Sequence, residues 1–219
     1  MMKTKLRSSL LLAAAVLVLT ACRVVVNTTV NADGSGELRS AVVFSAQEKA
    51  DFAQKPENES KSICDGLRKD VPADATFTEE TQAGETFCVT TRPFSSLDAL
   101  RKLYAGMGQV TVNQLQFELG KFTLDIDVDL SNPNDAKGAA QEWRLTLPGK
   151  IGTNNADHME GQTLIWMVAP GGKAHLRAES DAGLNAATLG TTGTLIVVSI
   201  LALLVAVGVI GFLLGRRKA

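Results

Sequence analysis

Three aspartates alternate with apolar residues in segment 121–130, KFTLDIDVDL. Asp125, Asp127 and Asp129 share this spacing with the start of a calcium-binding loop. Such a loop needs glycine at its sixth position and glutamate at its twelfth, and here those positions hold Leu130 and Ala136. The acids therefore fit better on the solvent-facing side of a β-strand. A weak cation site that includes further polar residues stays open as the alternative; these residues are Asn132, Asn134 and Asp135.

Cys22 follows a short export signal. Lys3, Lys5 and Arg7 form a basic head, residues 10–19 are apolar, and Leu19-Thr20-Ala21 precede the cysteine. Residues 19–22 resemble the lipobox of bacterial lipoproteins and match it at all four positions. In those proteins the cysteine of the lipobox is diacylated and becomes the new N-terminus. We expect lipidation of Cys22, with ordinary cleavage and a free thiol as the alternative.

If Cys22 is acylated, Cys64 and Cys88 remain as an even pair in an exported domain, and a disulfide is the natural interpretation. Two separate buried thiols are the alternative. A metal site is less favoured, since the spacing is not that of a CxxC motif and neither His158 nor His175 has a ligand-type neighbour in the sequence.

The residue types that usually carry out catalysis do not form a recognisable active-site motif in this sequence. The chain has two histidines, and we can place no Ser/His/Asp or Cys/His constellation around them. Paired carboxylates for glycan cleavage stay open, but nothing singles out a pair among the 23 acids. We therefore expect a protein that is not an enzyme and that carries neither a cofactor nor a metal.

Residues 195–214 form an apolar run with one polar side chain, Ser199. Twenty residues of helix span roughly 30 Å, the thickness of the bilayer's hydrocarbon core, so the run predicts a transmembrane helix. Arg216, Arg217 and Lys218 follow it, and the positive-inside rule places this end in the cytoplasm. Residues 22–194 would then lie on the extracytoplasmic side of the cell membrane.

The net charge of the predicted extracytoplasmic domain limits the classes of molecule that we expect it to bind. All 23 acids lie between Asp33 and Asp181, and sixteen of the 22 basic residues lie between the signal and the C-terminal tail. The domain is therefore net acidic by about seven charges. This argues against nucleic acid as a partner and against broad adhesion to anionic lipid.

Periodicity indicates the elements that must position these residues. Alternation or β-branched residues predict strands at 23–31, 37–44, 76–78, 86–91, 110–119, 121–130, 142–147, 164–168 and 173–179. Helices are expected after Ser45, which forms a capping box with Glu48, at about 59–69, and after a second capping box formed by Ser95 and Asp98. The third helix would place Leu97, Leu100, Leu103 and Tyr104 on one face.

Short motifs in the second half resemble the LppM-type lipoproteins of actinobacteria. They are Pro148-Gly149-Lys150-Ile151, Asn154-Asn155-Ala156, Leu164-Ile165-Trp166 and the run 176–180, together with the early turn Asp33-Gly34-Ser35-Gly36. The order of lipobox, domain, stalk and single C-terminal helix also fits. The resemblance implies an envelope lipoprotein with a role at lipids or glycolipids, and it implies no catalytic residues.

We therefore predict an α+β fold, mainly antiparallel, with seven to nine strands and two or three helices on one face, followed by one C-terminal transmembrane helix. A plain sandwich is the alternative. The predicted order is signal peptide (1–21), extracytoplasmic domain (22–183), stalk (184–194), transmembrane helix (195–214) and basic tail (215–219). The first functional hypothesis is a domain with an apolar groove for lipid or glycolipid at the outer face of the cytoplasmic membrane. The second is an accessory or scaffold lipoprotein that recruits a membrane protein partner.

Overall fold

The computed structural model describes residues 23–58, 60–131 and 139–182. Their strands are β1 (Arg23–Val30), β2 (Gly36–Phe44), β3 (Thr76–Gln82), β4 (Glu85–Phe94), β5 (Val110–Glu118), β6 (Lys121–Asp129), β7 (Gln141–Thr146), β8 (Lys150–Asn154), β9 (His158–Glu160), β10 (Thr163–Val168) and β11 (Lys173–Asp181). The α-helices are α1 (Ala46–Ala53), α2 (Asp65–Arg68) and α3 (Leu97–Ala105), with one 3₁₀ turn at Pro56–Asn58. The predicted sheet-rich fold with few helices is confirmed, and the strand count exceeds the expected seven to nine.

The strands form two sheets. The larger has the order β3-β4-β2-β1-β7-β10-β9, and the smaller has the order β5-β6-β11-β8. Strand pairs are antiparallel throughout the described residues, with one exception, the parallel pair of β1 and β7. One hydrophobic core contains side chains of both sheets and of α3. The fold thus has two packed sheets, as in the sandwich that was the alternative prediction. It also has a helix in the core, α3, as in the preferred α+β prediction.

The core confirms the alternation predicted for β6. Phe122, Leu124, Ile126 and Val128 are each 2% exposed or less. The larger sheet meets them with buried side chains that include Trp143 and Trp166. From α3, Tyr104 packs with its ring centroid 6.0 Å from that of Trp143 and shares a hydrogen bond of 2.8 Å with Thr28 Oγ1. Burial raises the pKa of Tyr104, so this hydroxyl stays neutral.

The first capping box is confirmed and the second is wrong. Ser45 N donates to Glu48 Oε2 at 2.8 Å, and Glu48 N donates to Ser45 Oγ at 3.2 Å. At α3 the N-cap is Ser96, which has extended backbone and accepts from Ala99 N. Asp98 therefore lies in the first turn, where it suits the helix dipole.

The predicted disulfide joins Cys64 and Cys88, whose Cα atoms are 5.4 Å apart. Cys88 lies on β4, and Cys64 is the N-cap of α2. The helix predicted at 59–69 is thus only four residues long and begins after the cysteine. The two sulfurs are buried, so the bond fixes this poorly apolar segment to the larger sheet.

Two strands were not predicted, β8 and β9. Both are short, and their side chains are mostly exposed, so they lack the buried alternation by which strands are recognised. Gly149 begins the turn into β8 with φ +75°, and a Cβ there would collide with the backbone of Asp181 and Ala182. This close contact places the start of β8 against the end of β11.

Several predictions fall on residues outside the described ranges. These are Cys22, the signal peptide (1–21), the stalk (184–194), the helix at 195–214, the tail (215–219), and Asn132, Asn134 and Asp135. They stay predictions. Within the described ranges, no helix has the length and apolar character needed to cross a membrane.

Candidate functional site

A groove of about 630 Å³ lies on the solvent-facing side of the smaller sheet. It follows from strand alternation, because the side chains of β5, β6 and β11 that do not enter the core point to this face. We call it the outer groove. Its lining is Gln114, Gln116, Glu118, Leu119, Lys121, Thr123, Leu124, Asp125, Thr153, Asn154, Asn155, Arg177, Ala178 and Glu179.

The three predicted solvent-facing acids form one half of a charge ladder between β6 and β11. Their register places each acid directly opposite a basic residue. The ladder pairs are Lys173 with Asp129 (Nζ to Oδ2, 2.6 Å), His175 with Asp127 (Nδ1 to Oδ1, 2.7 Å) and Arg177 with Asp125 (Nε to Oδ2, 3.3 Å). Opposite charges at directly facing positions stabilise strand pairing. The ladder accounts for the acids without a bound cation.

Asn113 joins the ladder from β5. The register of β5 and β6 shifts between Val112 and Gln114, so Asn113 occupies a bulge. Its Nδ2 donates to Asp125 Oδ1 at 2.9 Å and to Asp127 Oδ2 at 2.8 Å. The hydrogen bond from Asn113, followed by that from His175, lowers the pKa of Asp127. The bulge thus orients two neighbouring carboxylates.

Hydrogen bonds also lower the pKa of two other acids on this face. Lys173 has the largest effect on Asp129, and Ser131 adds to it, so that the pKa of Asp129 falls to about 2. The hydrogen bond from Lys121 lowers the pKa of Glu179. Both carboxylates are therefore ionised at neutral pH, and the face keeps fixed charges of both signs.

The outer groove can bind a polar group through donors and acceptors together. Arg177 is 64% exposed at its side chain, whereas its partner Asp125 is 19% exposed. Lys121 Nζ lies 2.9 Å from Glu179 Oε2 at the other end of the lining. Amides and hydroxyls stand between these ion pairs, and the lining includes no aromatic side chain. Such a surface suits a hydroxyl-rich or phosphate-bearing group.

Asn155 holds the floor of the groove against the other sheet. Its Oδ1 accepts a hydrogen bond from Trp166 Nε1 at 3.0 Å and one from Arg177 N at 2.8 Å. Its Nδ2 donates to His175 O at 2.6 Å. Trp166 belongs to the buried core, so this amide ties the backbone of Arg177 to a rigid position.

The sequence led us to expect an apolar groove, and one small pocket is lined by side chains of the core between the two sheets. Beside Tyr104, Trp143 and Trp166 the enclosed volume is about 10 Å³. A space of this size holds no more than one water molecule, far less than an acyl chain. The outer groove lies on the solvent-facing side of the smaller sheet, and most of its lining residues have polar side chains.

The two histidines differ in their surroundings. His158 lies on the short strand β9, with Nε2 3.9 Å from Glu160 Oε1. His175 has no ligand-type neighbour in the sequence, yet folding brings both of its ring nitrogens to carboxylates, 2.7 Å from Asp127 and 3.5 Å from Asp125. Among the residues that the structure describes, no group of three or more His, Cys, Asp or Glu side chains is arranged to hold a metal ion.

Sequence reasoning missed the basic half of the ladder and the bulge residue Asn113. A signal was present, because Lys173, His175 and Arg177 alternate with the same period of two as the three acids. That signal identifies a ladder only when β6 and β11 are known to be neighbours. Asn155 was singled out only as part of a resemblance, and its role depends on contacts to two sheets.

Comparisons with known proteins agree with the resemblance noted in the sequence. Residues 23–182 match the family model of the LppM domain. Among solved structures, the chain is similar to the folded domain of LppM from Mycobacterium tuberculosis, determined by NMR. The TM-score is 0.48 at 18% sequence identity, over 77% of this chain and 93% of that one. A comparison with curated proteins finds no match.

Proposed function

Because this chain belongs to the LppM domain family, we propose that it is a cell-envelope lipoprotein whose extracytoplasmic domain binds the polar head group of a lipid or glycolipid. The observation that carries the proposal is the outer groove, with its fixed charges of both signs. The diacylated Cys22 and a helix at 195–214 would hold the domain at the outer face of the cytoplasmic membrane.

The size and polarity of the groove favour a head group over an acyl chain. Its volume of about 630 Å³ falls within the range usual for small-molecule sites. Arg177 and Lys121 offer donors to phosphate or hydroxyl oxygens, and Asp125 and Glu179 offer acceptors to hydroxyl groups. The acyl chains of such a ligand would stay in the bilayer, which agrees with the small volume, about 10 Å³, of the pocket beside Tyr104, Trp143 and Trp166.

Native mass spectrometry of residues 23–182, exported with the disulfide formed, tests this proposal. The protein is incubated with lipids extracted from the envelope of the source cell, with phosphatidylcholine as the comparison lipid. We expect a bound lipid in the wild-type protein and its loss in Arg177→Ala. Arg39→Ala is the matched control, because Arg39 is a similarly ion-paired arginine, 2.9 Å from Glu80 on β3. Equal binding by both variants, or no binding at all, would refute the proposal.

Exposed methionines support a second candidate, an accessory lipoprotein that recruits a membrane protein. Met159 on the edge strand β9 and Met167 on the neighbouring strand β10 are 55% and 52% exposed. Methionine is frequent on surfaces that bind other proteins. A photo-crosslinker at Met159 would capture such a partner in the native membrane, whereas one at Glu80 on the opposite edge strand would not. Loss of the partner in Met167→Glu would confirm that this edge binds it.

A further inference from the structure

The described chain begins and ends at opposite ends of the domain. We call the end at which β1 begins the near end, and the end at which β11 finishes the far end. Arg23 starts β1, and Ala182 follows β11 directly. The separation of these two residues constrains how the domain can stand on a membrane.

Contacts between the two sheets define the near end. Val24 N donates to Ala140 O at 2.9 Å, so β1 and β7 begin together. Gln109 Nε2, just before β5, donates to Gln141 Oε1 on β7 at 3.2 Å. Leu130 N, just after β6, donates to Gly172 O, just before β11, at 2.8 Å. The starts of β1, β5, β7 and β11 therefore lie at one end.

The far end is defined by the chain around Ala182. Ala182 N donates to Gly120 O at 3.0 Å, in the turn between β5 and β6. Gly149, three residues past β7, lies against Asp181 and Ala182. From Arg23 to Thr29, which pairs with the last residue of β7, the rise of about 3.3 Å per residue gives roughly 20 Å. Ala182 thus lies at the opposite end of the domain from Arg23, about one strand length away.

We propose that the near end rests on the bilayer surface, so that the chain leaves the domain at the far end, away from the membrane. The inference depends on the proposed acylation of Cys22. No spacer separates Cys22 from Arg23, whose side chain is held by Glu85 at 2.8 Å, so the acyl chains hold this end of β1 at the lipid. The twelve residues 183–194 can span up to about 40 Å. This length is enough for the chain to return from the far end to the bilayer, where the apolar segment that begins at residue 195 would enter.

Fluorescence quenching in the full-length protein tests the orientation. Ala169→Cys, in the exposed turn between β10 and β11, labels the near end, and Glu37→Cys labels the far end. Each is the only reactive thiol when Cys22 is acylated and Cys64 is bonded to Cys88. The labelled proteins are placed in vesicles of phosphatidylcholine and phosphatidylglycerol with a nitroxide on the lipid head group. Unchanged thermal unfolding temperatures confirm that both variants fold.

We expect head-group nitroxides to quench the label at 169 several-fold more than the label at 37. Equal quenching would show that the domain lies on its side, and stronger quenching at 37 would show that it stands inverted; either result overturns the inference. The mass of the N-terminal peptide separates two kinds of failure. A peptide without acyl chains removes the anchor of the proposed function and this inference with it, whereas an acylated peptide with equal or inverted quenching overturns the inference alone.

Discussion

Arg177 on β11 lies directly opposite Asp125 on β6, with its Nε 3.3 Å from Asp125 Oδ2. The pair lies in the lining of the outer groove, and the arginine is far more exposed than the aspartate. Asn113 fixes Asp125 from one side, and Asn155 fixes the backbone of Arg177 from the other. A ligand that approaches this face therefore meets a guanidinium whose position is set by the sheet.

Arg177→Ala should weaken head-group binding about tenfold or more, since a charge-assisted hydrogen bond contributes roughly 1.5–3 kcal/mol. Folding stability should change little, because an exposed ion pair contributes about 0–1 kcal/mol. Titration calorimetry with the lipid identified by mass spectrometry measures the first effect, and urea denaturation measures the second. Arg39→Ala should leave both values near those of the wild type. A binding loss of the same size in both variants would contradict the assignment of the groove.

Asn155→Ala should lower the free energy of unfolding by about 2–3 kcal/mol, because it leaves the indole N–H of the buried Trp166 and the backbone N–H of Arg177 without their acceptor. Urea denaturation followed by tryptophan fluorescence measures this. Asn154→Ala is the control, since its side chain makes only local contacts with Gly152 and Ala156. Equal decreases in the free energy of unfolding in both variants would show that the hydrogen bonds of Asn155 to Trp166 and Arg177 add no particular stability.

Replacing Cys64 and Cys88 by alanine should cost roughly 3.5 kcal/mol by the loop-entropy estimate for a sequence separation of 24. The denatured chain gains freedom when the loop opens, and the segment around α2 buries few other side chains. Urea midpoints of the double variant give the value. Reduced wild-type protein should unfold near the midpoint of the variant, and a reduced protein as stable as the oxidised one would contradict the estimate.

Stability should fall with acid as Asp129 is protonated. Its pKa in the folded chain, about 2, lies below the ordinary value of 3.8, so its interactions favour the folded state above pH 3.8 and are lost as the pH falls toward 2. Lys173→Gln should raise the pKa of Asp129 toward 3.8, because the lysine has the largest effect on it. Carboxyl resonances followed by NMR report the midpoint. Lys121→Gln, which removes the partner of Glu179, should leave the midpoint of Asp129 unchanged.

Ser96→Ala should destabilise the domain by about 1 kcal/mol, since Ser96 Oγ accepts a hydrogen bond from Ala99 N, one of the free N–H groups in the first turn of α3. Ser95→Ala should have almost no effect, although the sequence pattern had placed the cap at that residue. Thermal unfolding of the two variants decides between them. A larger loss at Ser95 would restore the capping box first expected there.

Local patterns account for what could be predicted. The box of Ser45 and Glu48 and the buried alternation of Phe122 to Val128 depend on residues a few positions apart, so short windows of sequence reveal them. The pairing of Cys64 with Cys88 followed from their number in an exported domain. Strands β8 and β9 were not predicted, because their side chains are mostly exposed and do not alternate between buried and exposed positions.

By itself the sequence determined the class of fold, most strands, the disulfide and the likeness to the LppM domain. Only the tertiary structure decided that β1 pairs with β7 across more than one hundred residues, and that β6 pairs with β11. The second pairing sets Arg177 against Asp125 and creates the outer groove. The physical reason is that strand pairing is chosen by the whole core, which must be buried on both sheets at once, whereas a single strand shows only which of its faces is apolar.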